Sequence, residues 1–184
     1  ISVIGHSWGG FSALNISAFH PDLSHIVALS GFVSVELLVN SCFGGLLKGY
    51  RKAVMQVEQS ANPDFVGCQA VESLSKTKAK VLLIYSDNDR LCRKEVHYDA
   101  LKKGLEGKEN IRFLLERGKG HNPNYTADAV KYLGEYGSQR AKRMRKKQSE
   151  TDLQKKEFLA SWDWDRMTAQ DERVWDEIFR CFDS

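Results

Sequence analysis

The sequence has few cysteines and nothing that pairs them: Cys42, Cys68, Cys92 and Cys181 lie far apart, with no Cys-x-x-Cys. That excludes a zinc ribbon, a dithiol redox motif and a small disulfide-stapled scaffold, and it fits reduced thiols in a cytoplasmic protein. Proline occurs only 3 times in 184 residues. With an otherwise ordinary composition, this excludes collagen-like structure and global disorder. No run approaches the ~18 apolar residues of a membrane span. An excess of one charge sign is also missing, since a formal net charge of +3 is too small to imply a polyanionic partner for the whole chain.

What is present suits a single domain with an appendage: 184 residues, 42% of them hydrophobic. Residue 1 is Ile, and the chain opens directly into Ile1-Ser2-Val3-Ile4, a strand-type run that meets a glycine turn. A buried strand at a chain end would expose a sticky sheet edge. These residues are therefore expected to continue a longer parent, with any signal peptide in the missing part.

Four strand-type runs recur: Ile1 to Ile4, Ser24 to Leu29, Lys80 to Tyr85 and Asn110 to Leu115. They are mainly apolar rather than two-periodic, as strands covered on both faces are. Helical patterns occupy Phe11 to Phe19, Val35 to Val39, Tyr50 to Gln59, Cys68 to Leu74 and Lys94 to Gly104. Another begins around Tyr125, with Thr126 or Asn124 as cap. Strand alternating with helix predicts an α/β fold, a parallel sheet flanked by helices. Residues 34–78 exceed a simple crossover and read as a crossover helix plus a small insertion. Further on, Arg140 to Lys147 holds six basic residues and no acid. Residues 150–184 then hold ten acids and five bases, a local formal charge of −5. There, Thr168-Ala169-Gln170-Asp171 resembles a capping box. It precedes Val174, Trp175, Ile178, Phe179 and Phe182, an amphipathic helix expected to dock on the domain.

Gly5-His6-Ser7-Trp8-Gly9 is a GxSxG sequence between a strand and a helix, the context that gives it meaning. On so sharp a turn the serine Oγ projects above the sheet, and small residues two before and two after let strand and helix approach. The Trp8 N–H and the helix N-terminus then face the place where an oxyanion would form. A serine hydroxyl needs a base, and the base an acid to orient it. In a parallel sheet such groups gather at the carboxyl ends of the strands. Asp87 and Asp89 follow the third strand, and His121 follows the fourth.

Through Gly5-His6-Ser7-Trp8-Gly9-Gly10, Ser86-Asp87-Asn88-Asp89 and Gly120-His121-Asn122-Pro123, residues 1–136 resemble the α/β-hydrolase superfamily. The resemblance implies a serine hydrolase cleaving an ester, thioester or amide of a small acyl substrate through an acyl-enzyme. It implies Ser7 as nucleophile, His121 as general base, Asp89 as orienting acid and the Trp8 N–H as an oxyanion donor, with no cofactor and no metal. Asp89 is preferred because the family's acid ends a Gly-x-x-Asp-like turn, which Ser86 to Asp89 matches with Ser for Gly. Asp87 would then be a turn residue satisfying its own backbone. Serine rather than Asp or Cys argues against haloalkane, epoxide and dienelactone chemistry.

Two features of the family pattern are not seen. Its sheet has strands before the serine turn, and its second oxyanion N–H comes from a loop after one of them; losing one such donor costs about 10²–10³ in rate. The expectation is therefore a triad with an incomplete oxyanion hole, and the alternative is a hydrolase-like fragment acting as a binding or interaction module. The expected organisation is a core over residues 1–136, with an insertion about 34–78, and a charged linker with an amphipathic helix over 137–184.

Other residues carry plainer readings beside their functional ones. His6 is expected in a structural role, His20 and His25 as capping or surface groups, and His97 solvated on a charged helix. Phe43, Tyr50 and Met55 suit an acyl pocket or core packing alike. Trp8 is expected at the site wall, and Trp162, Trp164 and Trp175 as anchors of the C-terminal helix. The basic run suits a solvated helix end as well as nucleic acid or an anionic membrane. No basic and aromatic interleaving accompanies it, so nucleic acid is not an expected partner.

Overall fold

A computed structural model of the chain describes residues 1–145 and 151–184. Ser2–His6 (β1), His25–Leu29 (β2), Lys80–Ser86 (β3) and Ile111–Glu116 (β4) form one parallel sheet in the order β1-β2-β3-β4. The register sets His6 opposite Leu29, Leu29 opposite Ile84, and Ser86 opposite Glu116. The chain therefore leaves β1, β3 and β4 at one rim of the sheet.

The helices are Trp8–Asn15 (α1), Val35–Cys42 (α2), Tyr50–Ala61 (α3), Ala70–Lys76 (α4), Tyr98–Gly104 (α5), Ala127–Arg145 (α6), Asp152–Ala160 (α7), Trp164–Met167 (α8) and Glu172–Phe182 (α9). The two central strands explain their unbroken apolar runs. Successive side chains point to opposite faces, and both faces are covered. Ile26, Ala28, Val81, Leu83 and Tyr85 pack with Phe11 and Leu14 of α1, Leu74 of α4 and Leu101 of α5. Val27, Leu29, Leu82 and Ile84 pack with Val174, Ile178 and Cys181 of α9. The C-terminal amphipathic helix thus docks on the sheet as its pattern indicates. No helix among the described residues is long and apolar enough to cross a membrane.

Several local readings change. Thr168 ends α8, and the cap of α9 is Asp171, whose carboxylate accepts the Arg173 N–H at 3.1 Å. The complete capping box is Thr151 with Gln154, at the start of α7. Asp is itself a strong N-cap, so the helix starts one residue past it. Thr126 caps α6, its Oγ1 accepting the Ala129 N–H at 3.1 Å. That helix runs unbroken through residues 136 and 137; Lys146 and Lys147 lie outside the described residues. Trp162 and Trp164 meet Tyr132 and Tyr136 of α6 tilted or edge-on, so only Trp175 rides on α9. His25 is no cap: half-buried in β2, it accepts from Ser2 Oγ (3.0 Å) and donates to the Ser184 carbonyl oxygen (3.2 Å).

His97 is not solvated but fully buried. The helix expected from Lys94 starts only at Tyr98, because residues 93–97 make a turn. That turn brings the ring inward, where Nδ1 accepts the Val33 N–H at 3.3 Å.

Candidate active site

β1 ends at His6 and α1 begins at Trp8, so Ser7 alone makes the turn. Its backbone lies at φ 58°, ψ −115°. Such a conformation costs a non-glycine residue on the order of 1–3 kcal/mol and persists only when its surroundings enforce it. Here the Ser7 N–H donates to the Leu29 carbonyl on β2 and the Ser7 carbonyl accepts from Phe11, both at 2.9 Å. A Cβ at Gly5 would lie 2.0 Å from the Gly9 carbonyl oxygen, and one at Gly10 would lie 2.8 Å from the Gly31 Cα. Gly9 is different, since a Cβ there would meet nothing within 4 Å. Close approach of strand and helix therefore requires Gly5 and Gly10, not the glycine two places after the serine.

At the end of β3 the two aspartates part company. Asp87 Oδ1 accepts the Gly118 N–H (2.8 Å), while Asn88 Oδ1 accepts from Ser86 Oγ (2.9 Å) and the Gly120 N–H (2.7 Å). These bonds hold the loop that carries His121, a loop shaped by Gly118 and Gly120 at φ +69° and +59°. Asp89 turns inward. Its Oδ1 accepts the Leu91 and Cys92 N–H groups at 2.8 and 3.0 Å, and its Oδ2 lies 2.8 Å from His121 Nδ1. His121 Nε2 in turn lies 2.9 Å from Ser7 Oγ. The tautomer that satisfies both partners carries its hydrogen on Nδ1, leaving Nε2 to accept from the serine hydroxyl.

Burial by itself would push the Asp89 carboxyl up. The hydrogen bond from His121, the charge of that ring and the two backbone N–H groups outweigh burial, so the carboxyl lies below its usual value. It is ionised at neutral pH and suited to orient an imidazole.

The Trp8 N–H is the first of α1 and has no acceptor inside the helix. The half-exposed Trp8 ring meets Phe32 edge-on, with centroids 4.8 Å apart. Beside it a groove of about 190 Å³ is lined by Trp8, Phe11, Val35, Phe65 and Val66 among others. Phe43, Tyr50 and Met55 do not line it: Tyr50 is exposed, and Phe43 and Met55 pack half-buried against the core.

Two further contributors lie outside the residues that the sequence assigns to the site. His6 donates through Nε2 to the His121 carbonyl oxygen at 2.7 Å, with the two rings 4.9 Å apart. The buried Lys119 donates its N–H to Ser86 Oγ (3.0 Å) and its ammonium to Asp171 Oδ2 (2.7 Å) and the Tyr125 carbonyl. The adjacency of His6 to Ser7 is the only signal for the first. For the second there is none, because its partner lies in a distant segment.

No protein-family model matches the chain, and no curated protein does. Among solved structures, it is similar to a putative dipeptidyl aminopeptidase IV from Bacteroides ovatus. The TM-score is 0.50 at 20% identity, over 76% of this chain and 18% of that one. A puromycin-hydrolyzing peptidase from Mycobacterium tuberculosis gives 0.50 at 14% identity, over 65% and 18%. A monoacylglycerol lipase from Paleococcus ferrophilus gives 0.48 at 17%, over 65% and 59%. The chain thus spans 18% of the length of each peptidase and 59% of the lipase. With a parallel sheet, helices on both faces and a serine turn between the first strand and helix, it has the α/β-hydrolase fold, in part.

Proposed function

We propose that the chain carries the catalytic centre of a serine hydrolase acting on an ester, thioester or amide of a small acyl substrate. The observation that carries this reading is the continuous relay Ser7 Oγ–His121 Nε2 at 2.9 Å and His121 Nδ1–Asp89 Oδ2 at 2.8 Å. In this reading Ser7 attacks the carbonyl carbon while His121 takes its proton. The developing oxyanion is met by the Trp8 N–H at the positive end of α1. His121 then returns the proton to the leaving group, and water, deprotonated by the same imidazole, releases the acid from the acyl-serine. Asp89 fixes the ring and stabilises its charged form. The groove beside Trp8 offers Phe11, Val35, Phe65 and Val66 to a short acyl chain, beside the polar Ser12, Glu58 and Asn62. The likeness to a puromycin-hydrolyzing peptidase is reason to assay amides beside esters.

A fluorophosphonate probe tests the reading. The folded chain is expected to gain one label at Ser7, seen by intact mass, and Ser7→Ala to gain none. A folded chain that stays unlabelled would favour the binding-module alternative.

A further inference from the structure

A buried cysteine ordinarily serves as a small hydrophobe. Cys92 is almost wholly buried, yet it lies close to the two polar groups behind Ser7. One ligand-capable atom each from Asp89, Cys92 and His121 lie within 4.8 Å of one another. Asp89 Oδ2 and His121 Nδ1 sit 2.8 Å apart. In a tetrahedral zinc site with bonds of about 2.0–2.3 Å, ligand atoms stand about 3.3–3.8 Å apart. To reach that size, any side near 4.8 Å has to shorten by about 1 Å and the aspartate–imidazole pair has to open from 2.8 Å. One carboxylate, one thiolate and one imidazole, with a fourth position open, form a donor set for zinc-like cations; magnesium and calcium require oxygen.

We infer that Asp89, Cys92 and His121 bind a thiophilic divalent cation of the zinc class, and that occupancy shuts the serine relay. On binding, the Cys92 thiol proton passes to solvent and its sulfur bonds the metal. His121 Nδ1 bonds the metal as well, and its proton reappears on Nε2, so one proton is released in all. Nε2–H has no lone pair left for the Ser7 hydroxyl. The partly exposed edge of His121 is the way in, since its side chain keeps 21% of its accessibility while Asp89 keeps none. Binding stands on this geometry alone; the shutting rests on the catalytic reading above.

The full chain is titrated with Co²⁺ near pH 8, where proton release opposes binding less, and the thiolate-to-cobalt charge-transfer band is followed. One equivalent is expected to raise the band. Cys92→Ser, which keeps the backbone N–H to Asp89, is expected to abolish it and to weaken binding at least about tenfold. Cys42→Ser is expected to leave it intact. A missing band in the folded wild type, or one that survives Cys92→Ser, overturns the site. In parallel, Zn²⁺ is expected to stop hydrolysis of a nitrophenyl ester reversibly by chelator, with Cys92→Ser resistant. A band without any hydrolysis in metal-free protein would sink the catalytic reading and leave the site standing. Hydrolysis that Zn²⁺ does not touch would overturn the shutting.

Discussion

Lys119 and Asp171, 52 residues apart in the chain, form an ion pair at 2.7 Å with side chains that keep only 8% and 22% of their accessibility. Lys119 belongs to the loop that presents His121, and Asp171 is the N-cap of α9. The pair does not stand alone. Around it, the Asp171 N–H donates to the Asn124 carbonyl (2.8 Å) and the Thr126 N–H to the Ala169 carbonyl (3.0 Å). Burial would raise the Asp171 carboxyl, but the hydrogen bond and charge of Lys119, with the charge and backbone N–H of Arg173, outweigh it and hold the carboxyl below its usual value. The C-terminal segment therefore clamps the histidine loop onto the sheet.

Lys119 is accordingly a positioning residue. Lys119→Met takes the nearer cation from the half-buried Asp171, leaving it only Arg173 at 3.9 Å, a costly arrangement, and frees the loop. Small misplacements of a reacting group cost as much as about 100-fold. The expected outcome is a fall of about 10–100-fold in kcat for a nitrophenyl ester with KM little changed, partly restored by Lys119→Arg. Equal kcat in the folded Met variant would show that the clamp does not position His121.

The two aspartates after β3 give a sharper contrast. Asp89→Asn keeps the volume but removes the acceptor that fixes the Nδ1–H tautomer, and kcat is expected to drop by about 10⁴. Asp87→Asn keeps a carbonyl oxygen for the Gly118 N–H, so it is expected to change kcat by less than about tenfold. The reverse ranking in a steady-state assay would transfer the orienting role to Asp87.

The contrast also marks how far the sequence could be read. The strands were legible because β2 and β3 are apolar on both faces, a pattern set by local composition. Ser7, His121 and the pair Asp87 and Asp89 were legible as candidates because each follows a strand in a parallel sheet, which delivers them to one rim; the choice of Asp89 over Asp87 came only from the turn pattern of the resemblance. What could not be read depends on partners distant in sequence. His97 sits among charged neighbours, and only tertiary packing turns it inward to Val33. Trp162 and Trp164 look like anchors for the C-terminal helix but pack edge-on or tilted against α6. Lys119 is one lysine among many until Asp171 is brought beside it.

His97 gives the fold an acid sensitivity. Burial holds its imidazole down at about 4, with the Asp89 charge opposing and Arg93 assisting. In the unfolded chain the ring titrates near its ordinary ~6.5. As pH falls from about 6.5 towards 4 the unfolded chain takes up a proton that the folded one refuses, so stability is lost across that window and is intact above it. Between pH 7 and 5 the loss from this ring is ~2 kcal/mol. Asp89 acts lower, below the usual carboxylate range. His97→Asn supplies an amide oxygen near the place of Nδ1 but does not titrate. Urea midpoints should therefore fall less between pH 7 and 5 in this variant than in wild type. Parallel declines would remove His97 as the cause.

The last prediction concerns α9, which supplies Val174, Ile178 and Cys181 to the second face of the sheet. Ile178 is fully buried against β2 and β3, so Ile178→Ala is expected to cost about 3 kcal/mol. Phe179 follows it immediately but is 55% exposed, and Phe179→Ala should cost no more than about 0.5 kcal/mol. Denaturant unfolding of both variants reads the difference directly. A docked helix demands that large gap between neighbouring positions. Similar small costs would mean that α9 leaves the sheet in solution, and with it would go the Asp171 clamp on the loop that holds His121.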